Sequence, residues 1–171
     1  MTSRASKPRS KLSSPRIVLG WREWLALPEL GIGSIRAKVD TGARSSSLHV
    51  REQQLFERDG RSMVRFLIEH GVDDALSGHL EADVVDQRDV TDSGGHRESR
   101  IFVRTVLALS GGIAWPIELN LTERRNMAFP MLLGRSALRR RCIVDPARSW
   151  LLGHGPKGTD NRSEMRARIA P

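Results

Sequence analysis

What most limits the possible folds is how short the apolar segments are and how regularly turn residues interrupt them. Candidate strands are RIVLG (16–20), WREWLAL (21–27), SIRAKVD (34–40), SSSLHV (45–50) and SMVRFLIEH (62–70). Further along come GHLEADVVDQRDV (78–90), ESRIFVRTVLAL (98–109), IAWPIELNLT (113–122), PMLLG (130–134), CIVD (142–145) and SWLLG (149–153). Turn signals separate them: PELGIG at 28–33, TDSGGH at 91–96 with paired glycines suited to a hairpin tip, and SGG at 110–112. Segment 34–40 shows the strand period plainly, with Ile35, Ala37 and Val39 on one face and Arg36 and Lys38 on the other. Many short strands at this spacing predict an all-β sandwich or barrel. The one helical candidate is RSALRRR (135–141).

The alternating strand 34–40 ends on Asp40, followed by Thr41, Gly42 and Ala43. A strand fixes where a carboxylate sits. Gly42 lets another backbone approach, the Thr41 hydroxyl can bond a backbone group, and Ala43 adds little bulk. Three residues alone also describe an ordinary turn. A second segment changes the balance: FPMLLGRSAL (129–138) is an apolar run, then Gly134 and Arg135, then a helix start. In retroviral-type aspartic proteases an apolar-apolar-Gly strand lies beside the Asp-Thr-Gly loop and leads into a short helix. The order of segments here is the same.

Charge and composition exclude other classes. The 171 residues carry a net charge of +8, which would suggest nucleic acid if it were spread over the chain. Residues 1–16 hold five Lys/Arg and no acid, and residues 154–171 hold four against Asp160 and Glu164. The body, 17–153, is nearly neutral. This predicts one folded domain between two basic, disordered tails, 1–16 and 154–171, whose charge serves solubility or weak attraction to phosphates. Cys142 is the single cysteine, so no internal disulfide forms. No run reaches the roughly 18 apolar residues that span a bilayer, and 1–16 lacks the apolar core of a secretory signal. The expected compartment is the cytoplasm, with no membrane partner.

Segments GWREWLALPELGIGSIRAKVDTGARSSSLH (20–49), IELNLTERRNMAFPMLLGRSAL (117–138) and VDP (144–146) resemble the bacterial retropepsin-like proteins labelled ATP-dependent zinc proteases. Members of that family accompany ATP-grasp ligases that add glutamate to ribosomal protein. The resemblance covers about 17–153 and implies a closed retropepsin-like β-barrel with one short helix. It also implies aspartic endopeptidase activity. By resemblance Asp40 takes the catalytic position, Thr41, Gly42 and Ala43 complete its loop, and Gly134 and Arg135 match the second motif. His49, Arg88 and Glu98 fall at polar positions of the family pattern.

The residues do not support the family label's zinc or ATP. There is no His-Glu-x-x-His, and His49, His70, His79, His96 and His154 are scattered. A grouping in space, such as His49 with His79 and a carboxylate, stays open. GIGSIR (31–36) lacks the phosphate-loop Gly-Lys-Ser/Thr. No cofactor or metal is expected. A serine mechanism through Ser47 and His49 lacks a Gly-x-Ser-x-Gly elbow.

One Asp-Thr-Gly supplies one carboxylate, whereas aspartic hydrolysis needs two sharing a proton. A homodimer is therefore expected, with Leu151 and Leu152 of the terminal SWLLG strand at its interface. The ligase association suggests an acidic peptide or protein substrate, held by Arg44, His49 and Arg88, with Arg135 a further candidate. The alternatives are a barrel that binds peptide by strand addition without cutting it, and a ribosome- or RNA-associated protein acting through its tails.

Overall fold

The computed structural model describes residues 15–68, 79–91, 94–123 and 128–153. The expected tails, 1–16 and 154–171, fall almost wholly outside these residues. Strand β1 (Ile17–Gly20) is followed by β2 (Arg22–Leu27), β3 (Ile32–Asp40), β4 (Ser46–Arg58), β5 (Arg61–Ile68), β6 (Leu80–Thr91) and β7 (Arg97–Ala108). Then come β8 (Ala114–Thr122), β9 (Met131–Gly134), helix α1 (Arg135–Leu138) and β10 (Cys142–Asp145). The fold is mostly β, with one short α-helix among the described residues. No described helix is long and apolar enough to cross a membrane.

Eight strands form one sheet in the order β2-β3-β9-β4-β5-β6-β7-β8, and β2–β7 and β4–β8 pairings fold it back on itself. β1 and β10 form a separate parallel pair. The period-two pattern read from segment 34–40 extends across the sheet. One face carries Ile35, Ala37, Val39, Leu48, Val50, Ile101, Val103, Leu119, Leu121, Met131 and Leu133, all buried in a single core. The opposite face carries Arg36, Lys38 and Asp40.

β9 is the element that builds the site. It enters between β3 and β4, parallel to the first and antiparallel to the second. That insertion sets Asp40 level with Gly134 and Ser47 level with Leu132. The close approach demands glycine: a Cβ on Gly134 would stand 2.4 Å from the Ser45 carbonyl carbon and oxygen.

Three expectations need correction. The helix over 135–141 stops at Leu138, and Arg140 takes a left-handed φ of 66° that ends any helical path. β4 runs on to Arg58, because Asp59 (φ 53°) and Gly60 (φ 72°) form a two-residue hairpin tip into β5. SWLLG is a turn, not a strand. Its amides face inward: Leu151 and Leu152 donate to the wholly buried Glu23 carboxylate (3.0 and 3.3 Å), and Trp150 donates to the Arg22 carbonyl. Leu151 and Leu152 therefore have partners within their own chain, and no strand edge is offered there to a second copy.

Candidate active site

Asp40 closes β3 and is half-buried. Its Oδ1 accepts the N–H of Gly42 (2.9 Å) and of Ala43 (3.0 Å), so the carboxylate folds its own loop around itself. Short side chains at 42 and 43 permit this, since a Cβ on Gly42 would lie 3.3 Å from Oδ1.

Arg135 locks the loop from the other side. One guanidinium nitrogen donates to the carbonyls of Thr41 (3.0 Å) and Gly42 (2.7 Å), and its backbone N–H donates to the Ala43 carbonyl (3.0 Å). The next amide, Ser136 N–H, donates to Arg44 O (3.0 Å). Thus the first two residues of α1 grip all four carbonyls of segment 41–44. Thr41 and Arg44 line, with Arg135, Arg139, Leu138 and Cys142, an open depression of about 840 Å³. Burial pushes the Cys142 thiol up to about 11, against a small opposing pull from the Arg141 cation.

The other expected residues lie elsewhere or are shielded. His49 is 2% exposed on β4, level with Thr122 of β8. Ser47, its neighbour on the same face, donates to Asn120 Oδ1 (3.1 Å), in the buried interior of a polar network. Arg88 on β6 is engaged by Asp86 (3.0 Å) and Glu118 and lies over the Phe102 ring. Glu98 pairs with the buried Arg100 (3.1 Å). His79 pairs with Glu52 on the surface (2.7 Å). Among the described residues no three His, Cys, Asp or Glu side chains cluster as metal ligands would.

Sequence reasoning missed Asn120 and Arg100, which alternate with core residues on β8 and β7 and face the side of the sheet that carries Asp40. Their signal was present in the alternation Leu119-Asn120-Leu121, where a polar residue takes the face of the strand opposite the apolar core.

Residues 18–153 match the family described as retropepsin-like aspartic endopeptidase RimB. The chain belongs to the RimB-like family. RimB-like sequence also lies within larger proteins. The chain is 40% identical over 144 residues to a probable alpha-L-glutamate ligase of Shewanella pealeana, covering 83% of this chain and 31% of that protein. It is 41% identical over 141 residues to one from Desulfotalea psychrophila, covering 82% and 30%. It thus spans about a third of the length of the curated relatives it matches. A crystal structure of a Legionella pneumophila protein of unknown function shares 27% identity at a TM-score of 0.65, covering 81% of this chain and 99% of that one.

Proposed function

We propose that this RimB-like chain is an aspartic peptidase whose active unit is a two-fold dimer of closed, retropepsin-like barrels, with Asp40 of each copy facing the other. The observation that carries this reading is the Asp40 loop. Both backbone donors fall on Oδ1, which leaves Oδ2 to meet a water or a second carboxylate. Arg135 and β9 hold the loop rigid, as a shared site on a symmetry axis requires.

The chemistry follows from the pairing. Two carboxylates within about 3 Å cannot both ionise, so the pair carries one proton. The ionised Asp40 takes a proton from a water lying between the two, and that water attacks the peptide carbonyl carbon. The protonated Asp40 gives its proton to the carbonyl oxygen. The tetrahedral intermediate then collapses, the C–N bond breaks, and the leaving amine takes up a proton from the dyad. Arg44, Arg135 and Arg139, which line the depression beside Thr41, favour an acidic peptide over a basic one. The functional link we propose to a glutamate ligase is suggested by the longer relatives, each named a probable alpha-L-glutamate ligase.

The test is cleavage of a quenched hexaglutamate peptide by the wild type and by Asp40→Asn. Asn keeps the shape and the loop but cannot exchange the proton. Asp40-dependent cleavage supports the reading. Equal turnover by the two proteins, or none by the wild type at concentrations where it is dimeric, defeats it.

A further inference from the structure

Behind the Asp40 loop lies a buried polar cluster that the peptidase reading does not use. Asn120 sits at its centre, 1% exposed. Its Oδ1 receives Ser47 Oγ (3.1 Å), Thr122 Oγ1 (2.9 Å) and the Arg100 guanidinium (3.2 Å). Its Nδ2 donates to the Ser46 carbonyl (2.7 Å). Ser46 in turn accepts the Gly134 N–H on its hydroxyl (3.1 Å), and Gly134 is the residue level with Asp40.

These bonds form one path. Arg100, 7% exposed, is a permanent cation and an obligatory donor. Glu98 holds it from the rim with 3.1 Å contacts from both Nε and a terminal nitrogen. The amide oxygen of Asn120 has two lone pairs for three donors, so its orientation is over-determined. That fixes Nδ2 on Ser46 O. We propose that Asn120, anchored by Arg100, is a positioning residue for the active site. Through Ser46 it sets the depth of β9, and hence the height at which Gly134 and Arg135 hold the Asp40 loop.

The burial favours this over a binding role, because a side chain 1% exposed offers nothing to a substrate. Breaking the path leaves buried donors and acceptors unpaired, and such networks are rigid only when every member is satisfied. The proposal rests on the peptidase reading for its kinetic consequence, but not for its structural one.

The test compares three variants of the full chain. Asn120→Asp keeps an acceptor for Arg100 but replaces the donor to Ser46 O with a repelling oxygen. Ser46→Ala removes the acceptor of Gly134 N–H. Thr122→Val removes one of the three donors to an oxygen with two lone pairs. With the quenched hexaglutamate peptide, the first two each lower kcat by about tenfold, the worth of one hydrogen bond, and leave KM within about twofold. Combined, they lose no more than the worse single variant, because both cut the same path. Thr122→Val keeps kcat within about twofold. Multiplying losses, or loss in KM alone, overturn the proposal.

Amide hydrogen exchange decides the matter without activity. The Gly134 amide exchanges about tenfold faster in Asn120→Asp than in the wild type, while amides in the β2–β3 pairing are unchanged. Equal exchange at Gly134 overturns the proposal even where the peptide is cleaved. A wild type that lacks Asp40-dependent cleavage defeats the peptidase reading alone, and the exchange result then stands by itself.

Discussion

At the scale of single residues the site is a problem in satisfying carbonyls. Segment 41–44 turns sharply away from the sheet, so its carbonyls lose ladder partners, and Arg135 supplies donors in their place. Arg135→Ala therefore acts on activity more than on stability. The guanidinium is exposed and its bonds are partly replaced by water, so unfolding free energy falls by only about 1 kcal/mol. Turnover of the hexaglutamate peptide falls by about tenfold or more, because a loosened loop no longer holds Asp40 in place. Urea titration and peptide kinetics on one preparation separate the two effects. Cys142 gives a second residue-scale expectation. Its thiol stays protonated up to about 11 in the folded chain, against an ordinary value of 9.0. The folded form thus binds the extra proton between those values, and this group's share of stability is lost as pH rises through the window. At pH 8 iodoacetamide should modify Cys142 far more slowly in the native chain than in urea; equal rates would show that the thiol is not shielded.

At the scale of elements, the sequence was legible wherever one strand face packs and the other does not. The alternation in 34–40 gives β3 its orientation, and Asp40 its side of the sheet. The apolar-apolar-Gly motif gives β9, and its neighbour relation to Asp40 is the one observed. The outer half of β4 was missed because beyond Val50 both faces are largely exposed, so no alternation marks it. SWLLG read as a strand because its leucines are apolar. Its conformation is instead set by Glu23, which lies 128 residues away from Leu151 and accepts the N–H of Gly20 (2.7 Å) as well. Local pattern carries no information about such a distant acceptor. Two substitutions test these elements. Gly134→Ala forces a Cβ into the Ser45 backbone, and β9 has no room to retreat between β3 and β4, so a loss of about 3 kcal/mol is expected in chemical denaturation. Glu23→Leu strands three buried or half-buried amides and should cost about 3 kcal/mol or more, with the Trp150 fluorescence shifting as the turn loosens.

At the scale of the whole molecule, the proposed dimer raises the question of which surface would bring two Asp40 loops together. The turn at 149–153 stands in place of the strand expected to pair there. Among the described residues Leu55, Val85 and Ile113 are exposed apolar side chains elsewhere, and the small sheet of β1 and β10 adds an exposed pair. Val18 and Ile143 face each other across it in register, 41% and 48% exposed, an apolar pair on the surface of one chain. The sheet borders the depression that Thr41, Arg44 and Cys142 line. Cys142 and Val144 take the side facing that depression, and Val18 and Ile143 take the other side. In the dimer we propose, a second copy seated on that outer side would cover the apolar pair. Changing both Val18 and Ile143 to Asp costs a single chain about 1 kcal/mol, since like charges then face each other across β1 and β10, but both positions are solvent-exposed. In the proposed dimer the same change would bury like charges against one another, at a cost of several kcal/mol. The variant should sediment as a folded monomer, with an unaltered circular dichroism spectrum and no cleavage of the hexaglutamate peptide. Wild-type activity per chain should likewise fall on dilution below the dissociation constant. A wild type equally active per chain at every concentration, or a double variant that stays dimeric, would show that Asp40 does not meet its counterpart across this surface.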